Sequence, residues 1–214
     1  MAVQKMSSPY TQYLNRWINL TTSWQKFTIT FNPTVSDSNV KLAFMLADNA
    51  GSTWFDGFSF ETPGNLIKNP SFENTSGTWY SPWSLGAING TAATLNRDTG
   101  TIVDGSVSAR VNVTQTGTNW YVQLYQPNLS ISAGRSYKIT FWAKSQVAKT
   151  VEMAVQKMVS PYTQYLNQKI NLTTSWQKYN LTFNPTVSDS NVKLTFMLGN
   201  YTGNTWFDSM YFGL

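Results

Sequence analysis

The side chains with chemical potential in this sequence are amides and aromatics placed at alternate positions. In Tyr121-Val-Gln-Leu-Tyr125, if Val122 and Leu124 turn toward a core, then Tyr121, Gln123 and Tyr125 turn away from it. Between Val151 and Met158 the same logic, with Val155 inside, sets Gln156 and Glu152 on one outward face. Arg110 leaves the run Val107 to Val113 on its outward side. Tyr121, Gln123, Gln156 and Arg110 are the expected polar floor of a site. Trp83 and Trp120, in or next to loops, are the expected flat platforms, and Tyr162 and Gln164, just past Pro161, the expected rim. Amides both donate and accept, and aromatic rings offer an apolar face with a polar handle, so this set suits a neutral polar ligand. The structural alternative stands beside each assignment: a Trp in a β-protein is more often core, and an outward Gln is usually only solvated.

Composition excludes other chemistries. There is no Cys and no His, which rules out disulfides, thiolate metal sites and His-based nucleophilic engines. Only 12% of residues are charged, so the polar surface comes from Asn, Thr, Ser and Gln. The net charge is +5, but Lys and Arg are scattered singly, with no run of the kind that marks nucleic-acid binding. No apolar run is long enough to span a membrane, and Met1 is not followed by a secretory signal sequence. Asn-x-Ser/Thr sequons at Asn112, Asn128 and Asn180 follow from a composition rich in Asn and Thr.

The elements that must position these groups read as short strands. Val107, Ala109, Val111 and Val113 alternate with polar residues, as do Tyr137 to Ala143, Val151 to Val155, Tyr179 to Phe183, Val192 to Leu198 and Thr205 to Phe212. Ser132-Ala-Gly, Ser160-Pro, Asn184-Pro and Thr202-Gly-Asn separate them as turns. This predicts an all-β antiparallel sandwich. The pattern is also repeated: residues 1–62 match residues 153–214 without a gap at 45 of 62 positions, including Phe31 to Leu42 letter for letter as Phe183 to Leu194. The same strands are therefore expected in the first copy, with one ending at Phe60 and a short link at 63–64. Residues 65–214 make one complete module, preceded by a duplicated second half. One first half and two second halves cannot all pair, in a monomer or a dimer. The simplest expectation is that residues 1–62 are the tail of an upstream module in a longer array, with neighbouring modules abutting. The alternative is strand exchange, in which the surplus half captures a first half in permuted order or from another chain.

The order of motifs carries a resemblance. Asn65-Leu-Ile-Lys-Asn-Pro-Ser-Phe-Glu73, then Trp79 and Trp83, is followed by Gly105-Ser-Val-Ser-Ala-Arg-Val, Tyr137-Lys-Ile-Thr-Phe-Trp-Ala-Lys, Thr174-Ser-Trp-Gln-Lys-Tyr and Trp206-Phe-Asp208. This series resembles carbohydrate-binding modules of families 4, 9, 16 and 22, and looks closest to family 16, found beside bacterial mannanases and cellulases. The resemblance implies a jelly roll with a concave glycan-binding face and no catalysis by the module itself. It implies a partner, a β-1,4-linked polysaccharide such as cellulose, glucomannan or mannan, an attached glycoside hydrolase, and a secreted, extracellular bacterial setting. It also implies a structural calcium, with Glu73 and Asp208 at the usual ligand positions and Asp98, Asp104 and backbone carbonyls completing the shell. Asp208 corresponds to Asp56 in the first copy, which has no counterpart of Glu73.

Two rivals come from other classes. A glycoside hydrolase usually needs two carboxylates about the scissile bond. Residues 65–214 hold six acids: Glu73, Asp98, Asp104, Glu152, Asp189 and Asp208. With Glu73 and Asp208 given to calcium and Asp189 in a turn, Glu152 has no clear partner. The other rival is a structural repeat of a surface protein or adhesin.

Overall fold

The computed structural model describes residues 1–29, 31, 37, 39–46, 50–57, 64–75 and 77–214. In chain order its strands are β1 (Ala2–Lys5), β2 (Gln12–Asn15), β3 (Val40–Ala43), β4 (Ser84–Ala87), β5 (Ala92–Asp98), β6 (Ser108–Gln115), β7 (Val122–Ile131), β8 (Tyr137–Ser145), β9 (Lys149–Lys157), β10 (Gln164–Leu172), β11 (Gln177–Phe183), β12 (Asp189–Met197) and β13 (Gly203–Gly213). A 3-10 turn, Asn119–Tyr121, is the only helical element among the described residues. The chain divides into two compact units, Met1–Pro63 and Gly64–Leu214.

The second unit is a β-sandwich of two five-stranded antiparallel sheets, ordered β10-β9-β12-β7-β4 and β11-β8-β13-β6-β5. Successive strands pass repeatedly from one sheet to the other, the connectivity of a jelly roll. Alternation builds the core: Val111 and Val113 on β6, Val122 and Leu124 on β7, Ile139 and Phe141 on β8, and Val151, Met153 and Val155 on β9 are all buried. Phe196 of β12 joins the layers, with its ring centroid 4.9 Å from Phe141 and 4.6 Å from Phe207. The first segment is pinned by fully buried Gln126, whose Nε2 donates to Lys68 O and whose Oε1 accepts from Lys68 N–H, each at 2.8 Å.

The first unit holds a three-stranded sheet, β2-β1-β3, matching β10-β9-β12 at the constant offset of the repeat. Strands expected at the counterparts of β11 and β13 do not form among the described residues 25–29 and 51–57. In the second unit those two strands pair only with β8 and β6, which the repeat does not contain. The expected strand end at Phe60 and the link residue Pro63 lie outside the described residues.

Candidate glycan-binding face

The sheet β10-β9-β12-β7-β4 carries an open concavity, where its outward residues meet in rows across the strands. Register pairs Gln164 with Gln156, Gln156 with Lys193, Met197 with both Glu152 and Gln123, and Gln123 with Gly86. At the middle of the floor Ala154 pairs with Thr195, so small side chains leave depth there. Loops raise the sides. Trp120 and Tyr121 come from the 3-10 turn, their rings edge to face at 4.5 Å. Tyr162 stands in the tight turn after β9, held by its N–H donating to Val159 O at 2.8 Å. The result is a trough of about 570 Å³ lined by Trp120, Tyr121, Gln123, Gln156, Tyr162 and Gln164, with Tyr125, Lys193 and Glu152 among its other residues. A second hollow of about 180 Å³, bordered by Lys169, Asn200 and Tyr201, shares Asn119, Glu152 and Met197 with it.

The turn is seated by a close backbone approach. Gly199 N–H donates to Asn119 O, and Gly117 N–H donates to Gly199 O. A Cβ at Gly199 would lie 2.3 Å from Thr118 O, so only glycine lets the turn reach the sheet.

The polar groups of the floor are not equivalent. Gln123 is fully engaged: its Oε1 accepts from Lys193 Nζ at 2.8 Å and Thr195 Oγ1 at 3.1 Å, and its Nε2 donates to Trp120 O at 2.7 Å. It therefore positions the Trp120 turn. Lys193 also stands 5.1 Å from the Tyr125 ring centroid, and burial pushes its ammonium below the ordinary lysine range. It uses one of its three donors on Gln123, which leaves others for a ligand. Gln156 is buried, and its Oε1 meets no donor from the protein, an acceptor held ready at the base of the trough. Gln164 Oε1 accepts from Asn167 Nδ2 at 2.9 Å.

Six of the eight residues expected to bind thus line one trough; the other two do not. Trp83 is 2% exposed and belongs to the core. Its indole lies 5.4 Å from Phe72, and its Nε1 donates to Asn69 O. The loop that carries it folds over the sandwich, so turn sequence did not mean exposure. Arg110 does point outward, but from β6 in the other sheet, where it pairs with Asp98 at 3.6 Å. Lys193 and Tyr125 were missed as site residues. The alternation Val192, Leu194, Phe196 already turned Lys193 outward, and the pairing of β12 with β9 sets it beside Gln156.

The four expected calcium ligands converge on one loop, but as anchors. Asp98 Oδ1 accepts from Gly100 and Thr101 N–H, Asp208 Oδ2 from Val103 and Asp104 N–H, and Glu73 Oε1 from Ser106 and Val107 N–H, all at 2.8–3.0 Å. The remaining oxygens take further donors: Ser106 Oγ on Glu73, Ser209 N–H on Asp208, and Trp206 Nε1 on Asp98. Asp104 accepts from Ser71 Oγ. Asp98, Asp208 and Glu73 each clamp a consecutive pair of amides, and Gly105, at φ 70°, leaves room where a Cβ would lie 2.4 Å from Glu73 Oε1. Burial, with the Asp104 charge adding, pushes the Asp208 carboxyl up to about 6 despite its three amide donors. Among the described residues no group of three or more acidic side chains is arranged to hold a metal. The donor set does not fit the six to eight oxygens of a calcium shell in this arrangement.

Comparison with known proteins fits this architecture. Residues 64–203 match the family model described as carbohydrate binding domain. A solved structure titled "CBM4 structure and function" superposes with a TM-score of 0.58 at 23% identity, covering 69% of this chain and 98% of that one. A family 61 module solved with β-1,4-galactotriose gives 0.50 at 17% identity, covering 69% and 97%. No curated protein shows significant sequence similarity to the chain. The matched segment spans more than half of the residues and includes all five strands of the trough's sheet, and the chain belongs to the carbohydrate-binding domain family.

Proposed function

We propose that the trough binds a β-1,4-linked polysaccharide, cellulose, glucomannan or mannan, as an extended chain, and that the module does not hydrolyse it. The observation that carries this reading is one open trough combining half-exposed rings from the loops, Trp120 and Tyr162, with a floor of amide and lysine groups. Sugar rings have an apolar CH face and a rim of hydroxyls. Trp120 and Tyr162 serve the first, and Gln156 Oε1 and the spare Lys193 donors serve the second. The adjoining hollow extends the path, as a chain of several residues needs. The linkage and the attached glycoside hydrolase follow from the family resemblance. Glu152 is the one acid among the residues lining either hollow, which supports a binding role over hydrolysis. In the longer protein the module would hold a hydrolase at its substrate outside a bacterial cell, raising local concentration by tethering.

Calorimetric titration with cellohexaose and mannohexaose tests the reading. Binding without release of shorter sugars is expected, and Trp120→Ala should weaken it about tenfold to a hundredfold. Unchanged affinity in both Trp120→Ala and Gln156→Ala would remove the trough as the site.

A further inference from the structure

The first unit exposes residues that the same sequence buries in the second. Leu20, Met45 and Leu46 are 50%, 59% and 50% exposed, whereas Leu172, Met197 and Leu198 are 1%, 5% and 1% exposed. The three strands of the half keep the contacts of their counterparts. Tyr13 OH donates to Asp37 as Tyr165 OH donates to Asp189, and Met6 N–H donates to Asn39 O as Met158 N–H donates to Asn191 O. What differs is the cover. In the second unit β7 lies on the free edge of β12; the same edge of β3 has no strand among the described residues.

Met1 N donates to Arg16 O and Arg16 N–H donates to Met1 O, each at 2.9 Å, repeating the Met153–Gln168 pair of the complete module.

We propose that Met1–Pro63 is a docking half for the front half of a second module of this kind. The occupant supplies the counterparts of β4 to β8, adding a strand beside β3 and covering Leu20, Leu42 and Leu46. A second copy of this chain is the poorer fit. Its front half is already paired with its own second half. The repeats also differ where the halves touch most closely: Gly199 and Gly213 correspond to Ala47 and Glu61. A Cβ would lie 2.3 Å from Thr118 O at the first glycine and 2.1 Å from Gly64 O at the second. The occupant's loops therefore differ from this chain's own at those two points. The joined halves also form a second trough, because Gln4, Tyr10, Gln12 and Lys41 repeat Gln156, Tyr162, Gln164 and Lys193; this consequence rests on the proposed function.

The test is the full chain extended at Met1 by a copy of residues 64–152, carrying Ala47→Gly and Glu61→Gly so that both halves match. Hydrogen exchange at residues 40–46 is expected to slow to within about threefold of residues 192–198. Leu46→Asp in that chain should return 40–46 to fast exchange and leave 192–198 slow. Fast exchange at 40–46 in the extended chain overturns the proposal. So does concentration-dependent dimerisation of the unextended chain with protection of 40–46, which would make a second copy the occupant. Cellohexaose should then bind at two sites. Protection without a second site supports the docking and refutes the glycan reading of the trough.

Discussion

Leu46 and Leu198 offer the same substitution in the same local sequence with different surroundings. Leu198 is 1% exposed and belongs to the core between the sheets; Leu46 is 50% exposed. Replacing Leu198 by Ala removes buried methyl groups and leaves a cavity, at a cost of about 3 kcal/mol. At Leu46 roughly half the transfer term is already absent and solvent fills the space, so the cost is about 1 kcal/mol or less. Native-state hydrogen exchange reads the two units separately. Leu198→Ala should lower protection of Met153 to Val155 about 150-fold, whereas Leu46→Ala should lower protection of Val3 to Lys5 less than about fivefold. Equal losses would mean that Leu46 is packed, and the account of the first unit as an uncovered half would fail.

Other consequences follow from groups outside the trough. Lys149 begins β9 on the core side, with its Nζ unpartnered and burial pushing it down to about 8. Its folded value lies below the unfolded one, so it costs stability at neutral pH, and the cost disappears as pH rises from about 8 through 10.5. Lys149→Met should raise stability by on the order of 2 kcal/mol at pH 7, with the gain vanishing near pH 10.5 in urea titrations. The Tyr165–Asp189 hydrogen bond pushes the phenol up to about 12 from 10.0, so this contact loses stability as pH climbs from 10 toward 12. Tyr165→Phe should abolish that part of the alkaline slope. Gly199→Ala should push the Asn119–Tyr121 turn off the sheet and weaken glycan binding measured by calorimetry, with Gln123→Ala affecting the same turn from its other side. Trp83→Ala should cost about 3–5 kcal/mol of stability in urea unfolding, as a core aromatic does, whereas Trp120→Ala should leave the unfolding midpoint nearly unchanged.

The faces of the strands were legible because alternation is local. Val122 and Leu124 inward, Tyr121 and Gln123 outward, needed only the pleat. Which outward face becomes concave is not local, and Arg110 shows the limit: its direction was right, but pairing placed β6 in the other sheet. Trp83 failed for a related reason. Its burial comes with Phe72, whose ring also meets Trp79, contacts that span a loop and leave no periodic trace. Lys193 was readable and overlooked, because a lysine reads as solvated surface until Gln123 and Tyr125 are known to flank it. The four acids meet around one loop, where Asp208 and Glu73 accept pairs of backbone amides, contacts that leave no trace in their sequence spacing.

The repeat explains why one sequence yields strands in some places and not in others. In the second unit, β9 pairs with β10 and β12, and the repeated segment holds β10, β12 and β9 from Met153 onward. β11 pairs with β8, and β13 with β6 and β8, all outside it. The first copy keeps the three strands whose partners it carries and does not form, among its described residues, the two whose partners it lacks. The residues are nearly the same, with Thr53-Trp-Phe-Asp56 identical to Thr205-Trp-Phe-Asp208, so intrinsic preference cannot be the cause. Strand propensity here measures fit to a neighbour, and the ladder decides whether the fit is used. The same reasoning connects fold to function. The trough takes Gln156, Tyr162, Gln164 and Lys193 from the repeat, but Trp120, Tyr121 and Gln123 from β7 and the turn before it. A lone second half therefore presents the amide and lysine side of a site without its main aromatic wall, and completing the sandwich and completing the site are one event.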